Sequence, residues 1–256
     1  DRLGAIVSPL PVQYGPFELN HAIQALKPKG FLTTRRLKEA SFAASRLPVF
    51  TDACPVFCFG EHPVTGSLQL DLETVIDLEN WQTYVDGLKR SADDIFSICW
   101  TSGTTGQPKG VRLSHRNILA NLRQLFSAVD VMDTDSLFNC LPMFHSFGLV
   151  VGTLLPLCRG IRTTVFPSPL QYRQIPTAVY NSNATMFLST NTFLNGYARK
   201  AHPYDFRNVR YLLAGAEKVQ QATADTWARK FGVRINEAYG VTECAPAIAA
   251  NTKADN

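Results

Sequence analysis

Residues 95–129 read "IFSICWTSGTTGQPKGVRLSHRNILANLRQLFSAV". The apolar run Ile95–Cys99 has the composition of a buried strand. The stretch from Val111 onward reads as a helix, best defined from Ser114, a good N-cap, with Ile118, Leu119, Leu122, Leu125, Phe126 and Val129 recurring on one face. Between them, Trp100–Gly110 gathers four Ser/Thr hydroxyls and three glycines around a single lysine, Lys109. Such a loop is either a flexible connector or an anion cradle, in which glycine lets backbone N–H groups converge while hydroxyls and Lys109 add donors. It is not a Walker P-loop, because its spacing is G-x-x-G-x-P-K-G and no Ser or Thr follows the lysine.

Outward from this unit, strand and helix signals alternate in both directions. Upstream, "AIVSP" reads as a strand and "PFELNHAIQAL" as a helix with Phe17, Ile23 and Leu26 on its inner face. "KGFLTT" follows as a strand, "RRLKEASFAASRL" as a helix and "PVFCFG" as a strand. Residues 60–93 are more polar and read as a surface excursion with one short helix near "TVIDLENWQTYVDGL". Downstream, the strands are "SLFNCLP", "IRTTVF", "ATMFLS", "VRYLLA" and "VRINE", with helices between them. Near-continuous apolar strands separated by helices predict an α/β fold of stacked, largely parallel sheets with helices on both faces.

The bulk numbers narrow the function classes. Basic residues exceed acidic ones by 25 to 21, a net charge of +4 that is too mild and too dispersed for nucleic acid but suits an anionic ligand. No stretch approaches the roughly 18 apolar residues of a membrane span. The six cysteines form no CxxC pair and no cysteine/histidine cluster with zinc spacing, which fits a reducing, cytoplasmic setting. The opening "DRLGAIVSPLP" lacks an initiator Met and starts in an apolar run, as expected of a segment cut from a longer protein.

In open α/β sheets, ligands sit in the loops at the carboxyl ends of strands. There this sequence places "TSGTTGQPKG", "MFHSFG", "GAEK" and "AYGVTECAP". His145, flanked by aromatics, is either a pocket-lining or core residue beside Phe144, Phe147 and Leu149, or an acid/base. "LLAGAEK" is either an ordinary turn with Glu217 and Lys218 solvated, or a surface of small residues that a flat ring can approach. "AYGVTECAP" is either a capped turn or a set of aromatic face (Tyr239), hydroxyl (Thr242) and carboxylate (Glu243). Mg²⁺ is usually held by one or two carboxylates plus substrate phosphates, so a single Glu suffices.

These loops, in this order, resemble the AMP-forming adenylate-forming enzymes: acyl-CoA synthetases, luciferases and peptide-synthetase adenylation domains. "TSGTTGQPKG" is similar to that family's phosphate-binding motif and "YGVTE" to its adenine and magnesium motif. The stretches "LPMFHSFGLVVGTLLPL", "HPYDFRNVRYLLAGAEKVQ" and "FGVRINEAYGVTECAPA" resemble bacterial acyl-[acyl-carrier-protein] synthetases, the ligase parts of 2-acylglycerophosphoethanolamine acyltransferase proteins.

The resemblance implies ATP-dependent activation of a fatty acid through an acyl-adenylate, with transfer to the thiol of acyl carrier protein or coenzyme A. The alternative is a non-catalytic nucleotide- or acyl-binding module, or an inactive gene fragment. It implies that Thr101, Ser102, Gly103, Thr104, Thr105, Gly106 and Lys109 grip the ATP phosphates, that Gly215, Ala216 and Glu217 pack against adenine, and that Tyr239 stacks on it. Thr242 matches the α-phosphate contact, Glu243 the Mg²⁺ ligand and His145 the acyl-site lining, so the candidate catalytic residues are Glu243, Thr242 and His145. No partner nucleic acid is implied. The setting that the resemblance implies is cytoplasmic, with the inner-membrane face expected only through other domains of the parent protein. Residues 1–256 are expected to be part of the large N-terminal adenylation domain, without its start and its end; the resemblance implies that the ribose-binding aspartate, the hinge and the small C-terminal domain with its catalytic lysine lie beyond residue 256.

Overall fold

The computed structural model describes residues 4–11, 13–34, 36–37, 40–41, 54–59, 67–70, 83, 85–101 and 107–252. The chain divides into two compact units, one on Leu10–Lys89 and one on Arg90–Asn256 joined by Ala5–Pro9.

In the smaller unit, helix α1 (Pro16–Leu26) starts on a proline, whose fixed φ suits the first helical turn. The Glu18 carboxylate accepts the Gly15 N–H at 2.9 Å, and Lys27 ends the helix in the left-handed region. The buried face is Leu19, Ala22 and Ile23. Phe17, expected inward, is 70% exposed, and Leu26 is only half-buried. Position 17 lies in the first turn, two residues from Leu19 and so rotated well away from its stripe. Leu19 and Ile23 pack against Val56 and Cys58 of a parallel sheet. Its strands are β1 (Phe31–Thr34), β4 (Val56–Phe59) and β5 (Leu68–Leu70), in the order β1-β4-β5. The expected helix over 35–47 is replaced, among the described residues, by an antiparallel ribbon of β2 (Arg36–Leu37) and β3 (Ala40–Ser41). A single amphipathic stretch of this length is marginal as a helix without a packing partner, so propensity yields to context. Of the helix expected near residues 74–88, positions 83 and 85–87 are helical, Leu88 is not, and the others lie outside the described residues.

The larger unit opens with a hairpin of β6 (Ile95–Thr101) and β7 (Lys109–Ser114). The segment "AIVSP" contributes one parallel bridge, Val7 to Ser97, rather than a full strand. Residues 111–114, expected in the helix, are strand, as are Lys109 and Gly110, expected in the loop. Helix α2 (His115–Ala128) begins after Ser114, whose hydroxyl accepts the Asn117 N–H at 3.2 Å while the Asn117 side chain accepts the Ser114 N–H at 3.0 Å. That reciprocal cap fixes the start of the helix.

Beyond α2 the chain builds a six-stranded sheet in the order β13-β12-β11-β10-β8-β9. The strands are β8 (Ser136–Asn139), β9 (Arg162–Val165), β10 (Met186–Ser189), β11 (Tyr211–Ala214), β12 (Ile235–Gly240) and β13 (Ala247–Ala250). All pairings are parallel except that of β13. Strands β8, β10 and β11 are buried at every position, as a sheet covered on both faces requires. Leu137, Met186, Leu188, Tyr211 and Leu213 face Ile118, Leu122 and Leu125 of α2 together with Val150, Val151 and Leu155, the last opening the short helix α3 (Leu155–Arg159). The alternate residues Phe138, Phe187, Leu212 and Ala214 face the other way. They meet α4 (Gln174–Ser182), α5 (Asn191–Ala198) and α6 (Gln221–Phe231) through Ile175, Val179, Leu194, Tyr197 and Trp227. The two faces therefore read directly from the period-2 alternation of each strand.

The chain leaves β8 for β9 on one side and returns to β10 on the other. That makes the β8/β10 boundary a topological switch point, where the loops at the carboxyl ends diverge and leave a crevice. At the opposite, amino ends, the buried Asp135 carboxylate pins three strands. It accepts the Thr185 hydroxyl (2.6 Å), the Met132 N–H (2.8 Å) and both Nε (2.7 Å) and Nη2 of Arg210. Residues 135, 185 and 210 each immediately precede a strand, so the cluster sets the stagger of β8, β10 and β11 at the end remote from the crevice.

Candidate functional site

Strands β6 and β7 deliver the first group of candidates. Thr101 and Lys109 face one another at the open end of the hairpin. β6 is steadied by the Trp100 indole N–H donating to the Ser8 hydroxyl (2.9 Å), which in turn donates to the Ile98 carbonyl (3.1 Å). Ser102, Gly103, Thr104, Thr105 and Gly106 lie outside the described residues. Lys109 is exposed, and among the described residues its ammonium group has no acidic partner.

β12 delivers the second group. Its register with β13 shifts between Tyr239 and Gly240, and the chain then closes a short turn: Val241 N–H donates to the Pro246 carbonyl at 3.0 Å, and Cys244 N–H to Val241 at 2.9 Å. A Cβ on Gly240 would sit 2.3 Å from the Pro246 carbonyl oxygen, so only glycine allows this approach. The turn Thr242–Cys244 lies against β7. The hairpin that carries Thr101 and Lys109 and the turn that carries Thr242 and Glu243 are thereby neighbours, although more than 130 residues separate Gly110 from Thr242. Glu243 is exposed, and among the described residues its carboxylate accepts no hydrogen bond and forms no ion pair.

The loop after β8 joins the same place. The Thr242 and Ser146 hydroxyls are 3.2 Å apart, with Ser146 buried. Ser146 precedes a π-helix (Phe147–Leu154), a form that recurs at functional sites. His145 stacks obliquely on Phe144 with ring centroids 4.7 Å apart. His145 is exposed, and the desolvation that its neighbours impose lowers its pKa below the ordinary histidine value. The imidazole is therefore neutral at pH 7, which suits an apolar wall better than a proton donor.

The loop after β11 forms the fourth side. The Gly215 N–H donates to the Ser189 carbonyl at 3.2 Å. A Cβ at Gly215 would lie 3.3 Å from the Ala238 carbonyl oxygen and 3.4 Å from the Phe147 ring, so the loop runs close to both β12 and the π-helix. Ala216 has φ 67°, a left-handed conformation that is uncommon for a residue with a Cβ. Glu217 does not face the crevice as a free carboxylate. Its two oxygens accept the Thr192 N–H (2.7 Å) and hydroxyl (2.9 Å), capping the amino end of α5. Burial would raise its pKa, but these bonds, with one from Thr190, hold it below the usual glutamate value. Tyr239, 63% exposed, shares a face of β12 with Glu237, whose carboxylate takes the Val219 N–H at 2.8 Å. An open aromatic face thus stands beside a loop of small residues.

Four of the candidate segments converge, and Ser146 and Thr192 join them unforeseen. Ser146 carried no sequence signal beyond its place in a strand-end loop. Thr192 lies in "STNT" at a strand-to-helix step, the kind of place where a carboxylate from elsewhere caps a helix. Among the described residues no group of three or more His, Cys, Asp or Glu side chains is placed to hold a metal ion. A lone open carboxylate such as Glu243 fits a hard cation whose other ligands come from phosphate and water.

A family model for AMP-binding enzymes matches residues 1–256. The long-chain-fatty-acid–CoA ligase of Yersinia pestis is 31% identical over 190 residues, which cover 71% of this chain and 33% of that protein. An anthranilate CoA ligase, AuaEII, solved with anthranoyl-AMP, superposes with a TM-score of 0.80 at 19% identity, over 100% of this chain and 49% of that one. ATP-bound MatB from Rhodopseudomonas palustris gives 0.75 at 22% identity, over 98% and 47%. This chain thus spans about half the length of these solved relatives and matches a third of the Yersinia ligase. With the match running the whole length of the chain, it belongs to the AMP-binding enzyme family.

Proposed function

We propose that this chain forms the nucleotide- and acyl-binding part of an enzyme that activates a fatty acid with Mg·ATP as an acyl-adenylate and passes the acyl group to a thiol, that of coenzyme A or of acyl carrier protein. The observation that carries the reading is the bond between Ser146 and Thr242, with the Thr242–Cys244 turn against β7. It joins the acyl-side loop, the nucleotide motif and the phosphate-loop hairpin. The Yersinia relative is named as a long-chain-fatty-acid ligase, and this supports the substrate class.

In this reading Thr101 and Lys109, with residues 102–106 between them, donate to the ATP phosphates. Tyr239 stacks on adenine, and residues 215–217 offer it their backbone, since the Glu217 side chain is committed to α5. Thr242 contacts the α-phosphate, and Glu243 would hold Mg²⁺, which neutralises phosphate charge when bound. Neutral His145, with Phe144 and Phe147, lines the acyl side. No side chain need act as a nucleophile, because the substrate carboxylate attacks the α-phosphorus and displaces pyrophosphate as the α–β anhydride bond breaks; position and charge neutralisation supply the rate. The test is incorporation of labelled pyrophosphate into ATP, expected to require both Mg²⁺ and a long-chain fatty acid. Nucleotide binding with no acid-dependent exchange would leave a binding module instead.

A further inference from the structure

The described residues outside the loops above include one buried polar side chain that reaches directly into their framework. Asn121, on α2, is 3% exposed. Its Nδ2 donates to the Ala247 carbonyl at 2.8 Å, and its Oδ1 accepts the Ala247 N–H at 3.1 Å. The second Nδ2 proton goes to Gln124 Oε1 at 3.2 Å. This pairing fixes the amide's orientation, because a flipped side chain would set donor against donor and acceptor against acceptor. The partner lies 126 residues away in sequence.

Ala247 opens β13, the strand at one end of the six-stranded sheet, and directly follows the turn that Gly240 and Pro246 close. Asn121 therefore does for this residue what a further strand would do, satisfying both backbone groups of a sheet edge. It also spans two elements that matter to the site. α2 follows β7 without a break, so Asn121 is rigidly connected to the hairpin bearing Lys109. Ala247 is three residues past Cys244, the end of the Thr242–Cys244 turn. Ser146 holds that turn at Thr242, and Asn121 holds the chain where it leaves.

We propose that Asn121 is a positioning residue that fixes the Thr242–Glu243 turn relative to the phosphate-loop hairpin, and so sets the affinity for Mg·ATP. The proposal rests on the reading of that turn as the Mg·ATP site. A residue that orients a ligand-bearing element from behind typically contributes about 10–100-fold in affinity.

The test is a double-mutant cycle on the full chain, titrated calorimetrically with the magnesium complex of β,γ-imido-ATP. Asn121→Ala is expected to weaken binding about 10-fold or more. In a Glu243→Gln background the same change should cost clearly less than in the unaltered chain, since the turn it positions then offers the nucleotide only the Thr242 contact. Thermal melting accompanies each protein, and the stability loss from Asn121→Ala should be equal in both backgrounds. If Asn121→Ala fails to fold, Asn121→Asp preserves volume and the acceptor but sets a carboxylate oxygen against the Ala247 carbonyl, and is expected to show the same dependence on Glu243. An equal loss of affinity in both backgrounds would make Asn121 a structural clamp only and overturn the proposal. Should Glu243→Gln alone bind as tightly as the unaltered chain, the reading of the turn fails, and the proposal with it.

Discussion

Two glutamates in the site carry opposite burdens, and their surroundings separate them. Glu217 is bonded through both oxygens to Thr192 at the amino end of α5, where a carboxylate also complements the helix dipole. Glu217→Ala should therefore cost about 1 kcal/mol of stability, the magnitude of a lost cap, measurable by urea denaturation. Its folded pKa is depressed, so its contribution is fully present above about pH 4.3 and fades as pH falls through the folded value. Glu243 has no such tie among the described residues. Glu243→Gln should leave stability within about 0.5 kcal/mol of the parent, yet slow pyrophosphate exchange by roughly 10²–10³-fold through loss of a preorganised charge. Exchange rates against Mg²⁺ concentration, run beside urea curves, check both. Equal rates and equal Mg²⁺ dependence would remove Glu243 from the site.

At the scale of elements, the turn between β12 and β13 is the tightest part of the site. A methyl group at Gly240 would meet the Pro246 carbonyl at 2.3 Å, a contact that only backbone movement can relieve. Gly240→Ala is thus expected to cost about 1–3 kcal/mol, as overpacking does, and to weaken Mg·nucleotide binding because the Thr242–Cys244 turn shifts with it. Retained affinity in a destabilised Gly240→Ala protein would show that the turn moves independently of the hairpin. Nothing in "AYGVTECAP" announces β13, because "AIAA" is short, weakly apolar and paired antiparallel on an edge. The hairpin strand β7 was hidden for a related reason: "KGVRLS" has a single buried residue, Leu113, among exposed and half-buried ones, and runs straight into a helix with a much stronger period. By contrast β8, β10 and β11 were legible because burial on both faces makes them continuously apolar. The hydroxyl and carboxylate partners that assemble the site, Ser146 with Thr242 and Thr192 with Glu217, depend on separations of 96 and 25 residues, which no local pattern encodes.

Across the larger unit, the candidate site and the Asp135 ionic cluster occupy opposite ends of the parallel strands. The crevice loops leave the carboxyl ends, while Asp135 gathers Thr185, Met132 and Arg210 at the amino ends. Burial alone would raise the Asp135 pKa, but bonds from Arg210, Thr185 and the Met132 backbone hold it below the usual aspartate range. Arg210 is raised in return by the same bond. Since the folded pKa is depressed, this cluster stabilises the fold fully above about pH 3.9, and the contribution is lost as pH falls through the folded value. Asp135→Ala leaves the Arg210 guanidinium, its side chain only 21% exposed, without its carboxylate. Removing one partner of such a pair costs about 3–5 kcal/mol when burial is complete, and the partial exposure of Arg210 points to the lower end, about 3 kcal/mol. Urea denaturation at pH 7 should show that gap between the two proteins. At pH values below the folded pKa of Asp135 the gap should narrow, because the parent then also lacks the charge. Mg·nucleotide affinity of the folded variant should match the parent, as the crevice lies at the far end of the same strands. A gap that persists undiminished in acid would show that Asp135 acts through packing rather than charge. A change in nucleotide affinity would show that strand stagger set at one end is transmitted to the loops at the other.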